Sequence, residues 1–190
     1  MILSEMSSTA RFLFPSTYWR KARAWWLRWR YDPAAAAAAE RERFRSAGFD
    51  RANAERELDR ALAALGRPSF AESRGMASVH WLLLAAVASQ RCCGRILEIG
   101  TFDGETTALM ARLFPASRIV TLDLPPDDPI LGATYGRSGP AKRGAFERRL
   151  AANTAVDRIA LLRVNSFFLP SVVAEQFDLI WLDGGHLYPE

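Results

Sequence analysis

At 190 residues with 49% hydrophobic and 24% charged side chains, the chain can fold one domain with a real core and carry an extension. No stretch is long and apolar enough to span a membrane, and the N-terminus lacks the ordered basic, apolar and small-residue regions of a secretory signal. Two histidines, His80 and His186, and two adjacent cysteines, Cys92 and Cys93, exclude a Cys/His zinc cluster.

The formal charge of +4 is unevenly placed. Residues 1–31 hold Arg11, Arg20, Lys21, Arg23, Arg28 and Arg30 against Glu5, a net +5, whereas the remaining 19 basic and 20 acidic side chains give −1. Trp19, Trp25, Trp26 and Trp29 lie in the same arm. Three readings stand: a helix packed on the rest of the protein, contact with an anionic membrane surface, or a stacking grip on single-stranded nucleic acid. Arg and Trp recur on every side of the expected helix, so no clean apolar face is predicted.

Asp32-Pro33 caps and starts a helix that runs through the alanines Ala34 to Ala39 to about Ser46, a low-complexity stretch suited to a spacer. Gly48 breaks it. Asp50 caps a second helix with Leu58, Leu62 and Leu65 on one face, ended by Gly66 and Pro68. A third helix, Met76 to Ser89, is apolar along Trp81 to Val87 and is expected to pack on a sheet. Cys92 and Cys93 follow, expected to be buried as small hydrophobes in a reducing compartment.

Arg95 to Ile99 then reads as a strand running into a turn punctuated by Gly100 and Gly104, with a helix from Ala108 to Leu113 stopped by Pro115. Glycine lets the backbone turn tightly, and the unpaired N–H groups of a helix start suit an anionic group. A second strand, Arg118 to Asp123, is followed by a long Pro-rich link containing Asp127, Asp128, Tyr135 and Arg137, none with an assignable role, and by a helix from Ala141 to about Asn153. A third strand, Ile159 to Val164, ends at Asn165-Ser166. A fourth, Phe177 to Leu182, ends at Asp183-Gly184-Gly185-His186. Apolar runs ending in polar residues predict an α/β fold, an open parallel sheet with flanking helices and its ligand groups at the carboxyl edge, preceded by a helical extension.

The spacing Glu98-x-Gly100-x-x-x-Gly104 departs from the dinucleotide fingerprint G-x-G-x-x-G. With the strand ends that follow in order, it resembles the first motif of class I S-adenosylmethionine-dependent methyltransferases, a Rossmann-like family. The resemblance implies that Gly100, Thr101 and Gly104 line the methionine part of the cofactor, with Thr106 near its carboxylate and Glu98 orienting the turn or meeting its amino group. It implies that Asp123 holds the ribose and that Asn165 and Ser166 flank the adenine. The stretch from Asp183 to His186 resembles metal-dependent O-methyltransferases and some sugar and macrolide O-methyltransferases. There Asp183 would sit at the cofactor edge and ligate a divalent cation such as Mg²⁺, and His186 would be the general base. The plainer alternative is a turn in which Asp183 caps and His186 is exposed.

The resemblance divides the chain into a basic arm, 1–31, a helical extension, 32–75, and part of a methyltransferase domain, 76–190. It covers about the first half of the family's domain. The fourth strand is therefore expected to be a naked hydrophobic edge, and the missing half to belong to a longer product or to another chain, with a homo-oligomer as the other partner expected. The expected activity is methyl transfer to an oxygen of a small-molecule acceptor, a sugar or secondary metabolite, in the cytoplasm with possible peripheral membrane contact. The alternatives are a cofactor-binding fragment without catalysis of its own and an interaction module acting through the arm.

Overall fold

The computed structural model describes residues 22, 23, 25, 26, 29, 31–71, 76–129, 131 and 139–184, which fall in two compact units, Met1–Gly48 and Phe49–Glu190. In the first unit, residues 22, 23, 25, 26 and 29 are helical, and helix α1 spans Pro33–Ser46. Asp32 starts α1 as the sequence predicts: its carboxylate accepts from the Ala34 and Ala35 N–H groups at 2.9 and 3.1 Å, and Pro33 occupies the first turn, where its missing N–H costs nothing.

The second unit begins with α2, Arg51–Ala64, capped by Asp50 through the Asn53 N–H at 3.0 Å. Its apolar face buries Ala54, Leu58, Ala61 and Leu62, while Leu65 falls just past the helix as its C-cap and is only half-buried. Helix α3, Met76–Ala88, buries Leu82, Leu84, Ala85 and Ala86. The cysteines part company in the lead-in to the sheet. Cys93 is in the core, where burial pushes its thiol pKa up, but Cys92 is exposed, because only one of the two side chains faces inward.

The sheet is built from β1, Arg95–Ile99, β2, Arg118–Asp123, β3, Ile159–Arg163, and β4, Leu179–Leu182. Its order is β3-β2-β1-β4 with every pair parallel, a Rossmann-like α/β arrangement. Helix α4, Glu105–Leu113, links β1 to β2; α5, Pro140–Asn153, precedes β3; a 3-10 turn, Ser166–Phe168, and the short α6, Leu169–Val172, precede β4. Helix α4 starts three residues before the expected Ala108, because Gly104 in a left-handed conformation already serves as its N-cap.

Alternation along the strands makes two faces. Ile96 and Ile119 pack with Leu84, Met110, Ala111 and Phe114 on one, with Leu179 and Trp181 at its margin. Leu97, Val120 and Leu122 form the other, joined by Leu162, Leu169, Val173 and Phe177. β4 is shorter than expected because the chain enters it through a tie: the Asp178 carboxylate accepts from the Gly94 and Arg95 N–H groups at 2.8 and 2.9 Å. Those two bonds hold its pKa below the usual carboxylate range. As the sequence predicts, β4 is an apolar edge, with Ile180 54% and Leu182 70% exposed.

Candidate functional site

The carboxyl ends of β1, β2 and β4 converge on the glycine turn. Gly100 and Thr101 both donate their N–H to the Leu122 carbonyl, at 2.9 and 3.2 Å, so the turn leaves β1 across the end of β2. On the opposite side Asp183 donates its N–H to the Ile99 carbonyl at 2.8 Å. Gly100 has φ +103°, and a Cβ there would lie 2.1 Å from the Asp183 carbonyl oxygen. Glycine is required at this position by the approach of β4's own backbone, before any ligand is considered.

Phe102 also takes a left-handed conformation, φ +51°, and is held there by donating its N–H to Asp123 Oδ2 at 2.8 Å. Asp123 Oδ1 accepts the Leu124 N–H at 2.8 Å. The Asp123 carboxylate thus braces the turn from the end of β2, with lone pairs remaining on both oxygens for further donors. Gly104, φ +78°, caps α4 without a side-chain hydrogen bond, and a Cβ on it would meet Asn153 Cβ at 3.0 Å and Thr154 Cγ2 at 3.2 Å. Asn153 Nδ2 donates to the Asp103 carbonyl at 2.8 Å, and Arg149 pairs with Asp103 at 3.3 Å, so α5 clasps the far side of the turn.

Beneath the turn lies a buried polar chain. Glu98 is fully buried in β1, registered between Thr121 of β2 and Trp181 of β4. Thr107 from α4 and Thr121 both donate to Glu98 Oε2, the latter at 2.6 Å. The Thr101 and Thr121 hydroxyls are 2.6 Å apart. Because the single Thr121 proton goes to Glu98, Thr101 is the donor in that second bond. Glu98 Oε1 and Trp181 Nε1 are buried with no hydrogen-bond partner. Burial pushes the Glu98 pKa up to about 7; the two threonine hydrogen bonds pull it down, and the negative charges of Asp183 and Asp123 add to the rise.

The structure therefore gathers Glu98, Gly100, Thr101, Gly104, Asp123 and Asp183 around one corner. Thr106 stands in the first turn of α4 and accepts from Trp81 Nε1 at 3.2 Å, tying α4 to α3. Asn165 follows β3 and caps the 3-10 turn by accepting the Phe167 N–H at 3.0 Å, with Ser166 exposed beside it. His186 and Gly185 lie outside the described residues, as do Tyr135 and Arg137. Among the described residues, no group of three or more His, Cys, Asp or Glu side chains is placed to hold a metal ion. The sequence reading passed over Thr121, Asp103 and Asn153. For Thr121 a signal existed, since its hydroxyl interrupts an apolar strand level with the lone acid of the neighbouring one.

Chemically, the corner offers three things. At the start of α4 the Glu105 N–H already donates to Asp103 Oδ1 at 3.3 Å, and the N–H groups that follow it in the first turn suit a carboxylate or phosphate. The spare Asp123 lone pairs suit paired hydroxyl donors. The unpartnered Glu98 Oε1 suits a hydrogen-bond donor. An amino-acid-bearing nucleoside such as S-adenosylmethionine fits that donor and acceptor set.

No protein-family model matches the sequence, and no curated protein matches it. Among solved structures, the chain is similar to the O-methyltransferase TomG of Streptomyces achromogenes in complex with SAM, at 21% identity and a TM-score of 0.41 over 69% of this chain and 53% of that one. It is similar to the O-methyltransferase of Bacillus cereus in complex with SAH, at 23% identity and a TM-score of 0.36 over 67% of this chain and 54% of that one. A third, the SAH-bound methyltransferase of Podospora anserina, is 15% identical with a TM-score of 0.44 over 81% of this chain and 59% of that one. The chain spans about half the length of the first solved structures it matches. Its own topology is Rossmann-like α/β, and these three similar structures are methyltransferases.

Proposed function

We propose that this chain carries the cofactor-binding half of a class I S-adenosylmethionine-dependent methyltransferase acting on an oxygen of a small-molecule acceptor, such as a sugar or secondary metabolite. The reading rests on one observation: the Gly100–Gly104 turn, the start of α4 and the Asp123 carboxylate meet at one sheet edge. When bound, the cofactor supplies a methyl group already made electrophilic by its sulfonium. The protein's task is to hold it and to align a nucleophile. In this reading the α4 start receives the cofactor's carboxylate, Thr101 and Glu98 support the turn beside its amino group, and Asp123 accepts from the ribose hydroxyls. Thr106 stands near the carboxylate, and Asn165 and Ser166 flank the adenine. His186 would take the acceptor's hydroxyl proton on its imidazole, and Asp183 would be one ligand of a divalent cation such as Mg²⁺, a site that no group of three acidic, His or Cys side chains among the described residues completes.

The arm 1–31 and the extension 32–75 are then additions to the methyltransferase portion, 76–190. A second reading, a cofactor-binding chain whose catalysis needs another subunit, is favoured by the exposed Ile180 and Leu182 beside this corner.

Calorimetric titration with S-adenosylmethionine tests the assignment. Saturable binding is expected, weakened about tenfold to a hundredfold by Asp123→Asn, the loss of charge-assisted bonds worth about 1.5–3 kcal/mol. Asparagine keeps only one of the two acceptors that receive the Phe102 and Leu124 N–H groups, so the variant is expected to melt below the parent, and the titration is run at a temperature where both are folded. Absence of binding by the folded chain would sink the cofactor assignment.

A further inference from the structure

The N-terminal unit presents a surface that the cofactor corner leaves unexplained. Trp25, Trp26 and Trp29 are 68%, 47% and 75% exposed, on helical residues, and Tyr31 just beyond them is 64% exposed. Large aromatic side chains in that state expose apolar area to water and are uncommon in clusters. At about 100° of turn per residue, Trp29 falls between Trp25 and Trp26, and the three indoles share an arc of about 100°. Arg23 lies about 60° beyond Trp26, at the border of that arc. Trp25, Trp26 and Trp29 thus lie close together in angle, while Trp19 and the other basic residues of the arm lie outside the described residues. This is an aromatic stripe with a basic residue, Arg23, at its border.

We propose that this stripe is a docking surface for a lipid bilayer rich in anionic headgroups. Charge complementarity selects the partner, since residues 1–31 carry six basic side chains against one acidic, Glu5. Indole suits the headgroup level of a bilayer, where its ring meets apolar chains and its N–H meets water and carbonyl oxygen. Basic residues draw the helix to an anionic surface, and the indoles then anchor it in the plane of the interface. No helix among the described residues is long and apolar enough to cross a membrane, so the contact is peripheral. Indoles gathered within one such arc fit a flat surface better than a single nucleic-acid strand. Stacking on such a strand calls for a basic groove that tracks the phosphates.

The test is co-sedimentation of the full chain with vesicles of phosphatidylglycerol mixed into phosphatidylcholine, beside vesicles of phosphatidylcholine alone. Partition is expected to be at least about tenfold stronger on the anionic vesicles and to weaken as salt rises from about 0.1 M to about 0.5 M. The double variant W25S/W29S should lose about tenfold or more in partition while keeping the parent's melting temperature. Equal partition onto both vesicle types would overturn the proposal, and so would an unchanged partition of the double variant. It also fails if vesicles do not bind while a single-stranded oligonucleotide binds in a Trp-dependent manner. None of these outcomes depends on S-adenosylmethionine, so the proposal stands or falls apart from the cofactor assignment.

Discussion

Gly100→Ala is expected to cost about 4 kcal/mol or more, placing it among the exceptional single substitutions. Two penalties coincide. The backbone sits at φ +103°, outside the regions that a side chain bearing Cβ adopts easily, for about 1–3 kcal/mol. The larger penalty is steric. The new methyl would lie 2.1 Å from the Asp183 carbonyl oxygen and 2.5 Å from its carbonyl carbon, both in backbone that cannot swing aside. Relief requires the end of β4 to part from β1, breaking the Asp183 N–H bond to Ile99 and the Leu182 end of the ladder. Gly48 and Gly66 provide the control: both have positive φ, but a Cβ on either meets nothing within 4 Å, so alanine there pays only the conformational cost. Chemical denaturation of the three variants checks the ranking. A Gly100→Ala protein within about 1 kcal/mol of the parent would show that β4 is not seated against the turn as described.

Glu98→Gln should stabilise the protein at alkaline pH and leave it nearly unchanged in acid. The Glu98 pKa is raised from 4.5 to about 7, first because burial disfavours the charged form. For a carboxyl raised on folding, the folded state binds more protons than the unfolded state between those two values. The stability it contributes is complete below pH 4.5 and is lost as pH rises through 7. The displacement corresponds to about 3 kcal/mol at about 1.36 kcal/mol per pKa unit, an order of magnitude. Both threonine hydroxyls donate to Oε2, so the acid proton, when present, resides on Oε1. Glutamine reproduces that form, with its carbonyl beneath Thr107 and Thr121 and its amide in place of the protonated oxygen. The difference in unfolding free energy between variant and parent should therefore grow from near zero at about pH 4 to about 3 kcal/mol at about pH 8. A difference independent of pH would mean that Glu98 is ionised throughout and compensated by a donor at Oε1.

The sequence alone determined the element order, because its signals are local. Asp32-Pro33 and Asp50 are caps whose carboxylates need only reach the next turn, and the apolar runs of β1 and β2 show their burial directly. The order of polar residues at strand ends was legible for the same reason: each closes its own apolar run. It also placed Gly100 and Gly104 at a turn, but it could not say what their missing side chains make room for. Only the tertiary structure assigns that space, to the Asp183 backbone in one case and to Asn153 and Thr154 in the other, residues about 50 to 80 positions distant. The partners of Thr106 and Thr107 are likewise non-local: one receives the Trp81 indole N–H and the other donates to Glu98. Cys92 and Cys93 are alike in sequence and differ in burial, since one faces the core and its neighbour faces out. Side-chain identity and spacing fix what a segment tends to form, but which groups meet across the sheet depends on register and packing between segments far apart in the chain. At this corner that packing puts a buried acid, a braced glycine turn and a helix start together.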